Sequence, residues 1–144
     1  MYVCTRGLMA MFSLMIAIST QASRAAEISS PTGLWKTERG IVRVYESHGA
    51  FFARIESSFT PGDETRLCTA CTDNRKDQPI IGMVIMRNVK HVGENYEGGD
   101  ILDTKSGSVY RCNLTLDPSG SRLTIRGFVG VSLFGRSVAW GRVE

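Results

Sequence analysis

Two stretches near the C-terminus alternate so regularly that they limit the folds open to this chain. Leu123 and Ile125 share one face, with Arg122, Thr124 and Arg126 on the other. That is the period-2 pattern of a half-buried strand. Arg136, Val138, Trp140 and Arg142 alternate in the same way around the small residues Ser137, Ala139 and Gly141. Between the two runs lies an apolar stretch broken by Gly127, Gly130 and Gly135, which predicts a tight connection and therefore a hairpin. An isolated hairpin is marginal in water, so this pair must belong to a larger sheet.

The upstream sequence supplies that sheet. Gly33 to Thr37 and Ile41 to Tyr45 read as strands joined by a Gly-containing turn, and Ser47-His48-Gly49 turns into a third strand, Ala50 to Ser58. In that third strand Phe51, Ala53 and Ile55 form the core face, opposite Phe52, Arg54 and Glu56. Strand character returns at Ile80 to Val92, at Asp100 to Asp103 after a turn over Glu94 to Gly99, and at Ser108 to Leu116. Asp117-Pro118-Ser119-Gly120 is a turn with strong local chemistry. About eight short strands without an amphipathic helix predict an all-β fold, a single antiparallel up-and-down barrel whose closure removes the exposed sheet edges. Only Phe59 to Pro79 breaks the pattern, a loop of a length that usually has a function of its own.

Residues 1–25 read as a secretory signal peptide. Arg6 precedes an apolar core from Leu8 to Ile18, and Ser23-Arg24-Ala25 places small residues at the -3 and -1 positions of a cleavage site. The apolar core is well short of the roughly 20 residues that span a bilayer, so the expectation is a periplasmic or secreted protein with no membrane span. Residues 26–144 then form one domain. Removing Arg6 and Arg24 from the 17 basic residues leaves 15 against 14 acidic ones, a net charge of +1. No basic run with interleaved aromatics remains, which argues against nucleic-acid binding.

Export leaves three cysteines, Cys68, Cys71 and Cys112. In an oxidising compartment Cys68-x-x-Cys71 reads first as a disulfide stapling the long loop. A bridge to Cys112, or a redox or metal role with His48 or His91, stays open beside it. Cys112 sits between Tyr110 and Leu114 and reads most simply as a small buried apolar residue. Asp100, Asp103, Glu94 and Glu97 gather near a turn and read as a solvated rim. No motif places a nucleophile beside either histidine, and Gly-x-Ser-x-Gly is absent. The expectation is a protein without enzymatic activity, cofactor or metal.

Across the chain run Gly33-Leu-Trp-Lys-Thr37, Asp77-Gln-Pro-Ile-Ile-Gly82, Glu97-Gly-Gly-Asp-Ile-Leu-Asp103, Tyr110, Arg126-Gly-Phe-Val-Gly-Val-Ser-Leu-Phe-Gly-Arg136 and Trp140-x-Arg142. In that order they resemble the bacterial exported family called domain of unknown function 2147, which has no established activity. The sequence is also similar to the lipocalin superfamily, in which Gly-x-Trp opens the first strand and an arginine of the last strand packs over it. That resemblance implies that Arg142, with Arg136 as the other candidate, covers Trp35. The chain departs from commoner members of the family at Ser137-Val-Ala139, where they carry Thr-Gln-Thr, and at Leu102, where tyrosine is more usual. If those positions line a cavity, it is more apolar here.

The leading expectation is an exported binding module holding a small apolar or amphipathic ligand, with Trp35, Arg43, Tyr110, Phe128 and Trp140 as candidate lining residues. A second reading is thiol-redox or metal handling by Cys68, Cys71 and Cys112. A third is an envelope interaction domain that docks a protein partner through the apolar hairpin Phe128 to Phe134.

Overall fold

The computed structural model describes residues 30–143. The expected signal peptide and its cleavage site lie outside the described residues. Eight strands run in sequence: β1 Gly33–Lys36, β2 Gly40–Ser47, β3 Ala50–Ser58, β4 Val84–Val92, β5 Asn95–Leu102, β6 Val109–Leu116, β7 Arg122–Phe128 and β8 Arg136–Val143. Each pairs antiparallel with the next, and β1 also pairs with β8, so the sheet closes on itself as an up-and-down barrel. Among the described residues no helix is long and apolar enough to cross a membrane.

The alternation read in the sequence sets the inward face. Phe51 and Ala53 are buried, while Arg54 on the other side of β3 is exposed. Leu123 pairs with Trp140 and Ile125 with Val138, so β7 and β8 turn those four side chains the same way. The core runs through Trp35, Val42, Val44, Phe51, Met86, Val89, Tyr96, Leu114, Leu123, Ile125 and Trp140. These side chains occupy the interior of the barrel, which is narrow at eight strands.

Two elements start elsewhere than the sequence indicates. Glu94 to Gly99 is not a turn: only Gly93 and Glu94 turn, and β5 begins at Asn95. Gly98-Gly99 is a bulge instead, with Gly98 at φ 81° and a register shift between Tyr96 and Gly99. Gly99 is required there by close packing, since a Cβ would lie 2.2 Å from Val89 Cγ2 and 2.6 Å from the Arg87 carbonyl oxygen. The fourth strand begins at Val84 rather than Ile80. Ile80 to Met83 turns, with Gly82 N–H donating to Ile55 O and Met83 O accepting from Ile55 N–H.

The odd-numbered connections, β1–β2, β3–β4, β5–β6 and β7–β8, all lie at one end of the barrel, as the up-and-down order requires. The long β3–β4 loop packs against that rim. Cys68, Cys71, Ile80 and Met83 join the core cluster, the Cys68 sulfur approaches Thr104 O at 3.8 Å, and Arg39 ion-pairs with Asp103.

Candidate functional site

At the end opposite that loop, the barrel is closed by one arginine. Arg142 lies directly across the β1–β8 ladder from Trp35, and its guanidinium carbon sits 4.3 Å from the Trp35 ring centroid. Its three nitrogens donate to three carbonyls: Nε to Gly120 O at 2.6 Å, Nη1 to Thr32 O at 2.8 Å and Nη2 to Ser30 O at 2.9 Å. Trp35 Nε1 donates to Pro31 O at 2.8 Å. Gly33 makes room for the arrangement, because at φ 136° its missing Cβ would stand 2.7 Å from Arg142 Nη1. Arg142, not Arg136, takes the position over the tryptophan. This constellation ties the segment before β1 and the β6–β7 turn to the last strand, and its partners are all internal. It is a structural closure.

The five residues expected to line one ligand site do not come together. Trp35 and Trp140 are core residues, 0% and 6% exposed. Arg43 stands on the outer wall, where its Nε donates to Glu56 at 2.8 Å beside Arg54. Tyr110 faces inward, paired with Ile101, near the rim. Phe128 points outward, on the same side of the sheet as Arg111, its neighbour across the ladder. Of the family departures, Val138 is turned inward and is 47% exposed at the rim, while Leu102 sits on the alternate side of β5.

The cysteine readings separate. Cys68 and Cys71 form a disulfide, with S–S 2.03 Å. Cys112 is free and buried. Burial, with a smaller contribution from the Asp100 charge, pushes its thiol up to about 12, so it is not a poised nucleophile. Among the described residues no three of His, Cys, Asp and Glu stand together as a metal would require. Thiol titration of unreduced protein lacking residues 1–25 is expected to find no reactive thiol at pH 8 in the native state and one after denaturation. Three thiols after denaturation would show that the disulfide does not form.

Among the described residues, grooves cut the outer wall. One, of about 570 Å³, runs between the β3–β4 loop and the stacked rings of Tyr45 and Phe52, whose centroids are 5.7 Å apart. Its cations are already neutralised. Arg75 holds Asp73 at 2.6 Å, and Arg87 spans Asp73 and Asp100, each at 3.3 Å. The Arg75 hydrogen bonds hold the Asp73 carboxyl down at about 2, so the pairs persist across the physiological range.

The second groove, of about 600 Å³, arises where two bulges adjoin. Asn88 takes φ 60° in the middle of β4, a left-handed conformation that asparagine tolerates better than most residues, and the β4 register against β3 shifts around it. The Gly98 bulge of β5 lies beside it and dents the wall. Phe128 supplies an apolar surface, 9% exposed, and Ser132 from the β7–β8 connection forms part of the rim. Lys90, Arg111, Asn88, Asn113 and Glu97 line the remainder. Lys90 faces Glu97 across the ladder without closing an ion pair on it, and the cross-strand neighbour of Arg111, Asp100, is taken by Arg87. Among the described residues, neither Lys90 nor Arg111 is in an ion pair. Of the five residues expected to line a ligand site, only Phe128 belongs here. Lys90 and Arg111 carry no motif, and their meeting depends on strand pairing.

The β7–β8 connection is the third exposed feature. Val129, Val131, Leu133 and Phe134 stand out from it at 72%, 59%, 77% and 80% exposure, around a 3-10 turn at Ser132–Phe134.

Residues 33–142 match a family described as "Uncharacterized protein conserved in bacteria (DUF2147)". No curated protein matches the chain. Among solved structures, one titled "Protein HP1028 from the human pathogen Helicobacter pylori belongs to the lipocalin family" is similar in fold. Its TM-score is 0.71 at 18% identity, covering 80% of this chain and 84% of that one.

Proposed function

This chain belongs to the DUF2147 family of uncharacterized bacterial proteins, and on that premise we propose that it is an exported binding module for a small amphipathic anion, held in the groove of the outer wall. The observation that carries the reading is the meeting of two cations without ion-pair partners, Lys90 and Arg111, with the Phe128 ring in one groove of about 600 Å³. That volume lies within the range of small-molecule sites. Two cations against the single carboxylate of Glu97 favour an anion, and the adjacent ring favours a hydrocarbon portion next to the charge. Asn88 and Asn113 offer amide donors to the same headgroup. The core is occupied by Trp35 and Trp140, which favours the outer wall over the barrel interior as the place of binding. Export is supported by the leader read in residues 1–25 and by a disulfide that suits an oxidising compartment. Binding, not catalysis, is the role this reading assigns to the groove.

Isothermal titration with laurate and with dodecyl phosphate tests this. Binding is expected in roughly the micromolar range. The Lys90→Ala/Arg111→Ala double variant should lose at least about tenfold, since each charge-assisted hydrogen bond is worth more than a neutral one. Both side chains are exposed, so the variant should fold normally. Absence of saturable binding to either probe, or equal binding by the variant, would overturn the reading.

A further inference from the structure

We propose that the β7–β8 connection is a membrane-docking tip that inserts Val129, Val131, Leu133 and Phe134 into the headgroup boundary of an anionic lipid surface. The inference does not depend on the groove. Four apolar side chains of one short connection are all more than half exposed among the described residues.

Exposure alone does not choose between a lipid surface and a protein; the polar groups of the tip do. A segment that enters a bilayer must satisfy its own backbone, because no water follows it there. Arg126 provides part of that satisfaction. From the neighbouring strand its Nε donates to Ser132 O and its Nη2 donates to Leu133 O at 3.0 Å, while Nη1 donates to Ser137 Oγ at 3.1 Å. Phe134 N–H donates to Val131 O at 3.2 Å. The carbonyls of the two residues at the apex are therefore capped from within the protein, and a partner chain is not required to supply donors for them.

Charge points the same way. No Asp or Glu occurs from Gly127 to Gly135, and the residues on either side of that stretch are Arg126 and Arg136. Arg126 and Arg136 flank the tip, and among the described residues neither is in an ion pair. The acceptors of Arg126 are neutral, so its charge is not cancelled. An apolar apex with two cations at its base matches the order of acyl chain and anionic headgroup in a lipid surface.

The closed barrel lies wholly within residues 33–143, so a chain starting at Ala26 retains every strand and is the one to test. Co-sedimentation with vesicles of phosphatidylglycerol and phosphatidylethanolamine should capture the wild-type chain, and pure phosphatidylcholine should capture less. Leu133→Ser/Phe134→Ser should lower capture by at least about tenfold, the transfer of a leucine and a phenylalanine being forfeited. Arg136→Gln should weaken capture by the anionic vesicles and leave that by phosphatidylcholine unchanged. Phe134→Trp should show a blue-shifted emission on adding anionic vesicles, against the constant background of the buried Trp35 and Trp140. Failure of the wild type to sediment with anionic vesicles, equal capture of the serine variant, or an unmoved emission would overturn the proposal. Concentration-dependent self-association that the serine variant abolishes, without vesicle capture, would also overturn it and assign the tip to a second copy of the chain.

Discussion

Replacing Trp35 by alanine is expected to destabilise the barrel by about 3–5 kcal/mol in equilibrium urea unfolding. Three losses contribute to that value. The indole is fully buried, so its removal leaves a void among core side chains that relax only in part. Its Nε1 bond to Pro31 O disappears and orphans a buried acceptor. Its ring face no longer carries Arg142, whose three carbonyl contacts then lose their support. Trp35→Phe retains a ring beneath the guanidinium and forfeits only the Nε1 bond and part of the volume, so it should cost less than half as much. A domain of this size has a total stability of roughly 5–15 kcal/mol, so the alanine variant sits near the threshold of folding and the phenylalanine variant well above it. A measured cost below about 1 kcal/mol for alanine would mean that Trp35 does not hold the closure together.

The parts of this fold that were legible in the sequence are those where a period coincides with burial. β7 and β8 alternate Leu123, Ile125 and Trp140 against arginines and small residues, and the inward face follows directly. The same alternation in β3 picks out Phe51 and Ala53. β2 is different. Ile41, Arg43 and Tyr45 on one side and Val42 and Val44 on the other are both largely apolar, so the sequence has no contrast that would exclude Arg43 from the interior. The structure places it outside, against Glu56.

Glycine is ambiguous in another way. Gly98-Gly99 has the composition of a turn, but a bulge also needs one residue at positive φ, and Gly99 is further required by the approach of Val89. Which role a glycine pair has is decided by the neighbouring strand. The outer groove was illegible for the same reason. It exists because irregularities at Asn88 and Gly98 come side by side and because β4 and β6, separated in sequence, bring Lys90 and Arg111 to one place. Arg126 also looked like an ordinary polar-face residue of β7. Its hold on the Ser132 and Leu133 carbonyls depends on the path of a loop that no periodicity describes.

Arg142 is the residue whose removal tests whether the two ends of the chain act as one unit. Arg142→Ala is expected to cost about 3 kcal/mol, from unpairing the carbonyls of Ser30, Thr32 and Gly120 and exposing the Trp35 face. Arg142→Lys retains the charge, but a single ammonium cannot hold three carbonyls arrayed around a planar fork, and it should recover less than half of that loss. In the Trp35→Ala background the guanidinium has no ring to rest on, so Arg142→Ala should cost about 1–2 kcal/mol less than it does in the wild type, the range of a partly desolvated cation–π contact. Where the alanine background is too unstable to measure, Trp35→Leu removes the aromatic face and leaves more of the core filled. Costs that add to within about 0.5 kcal/mol would show the two residues to be energetically independent. The arginine would then serve only as a clamp on the three carbonyls. Coupling at the expected size would instead show that β1 and β8 are joined by side chains as well as by their backbone ladder, and that the barrel closes through this one pair.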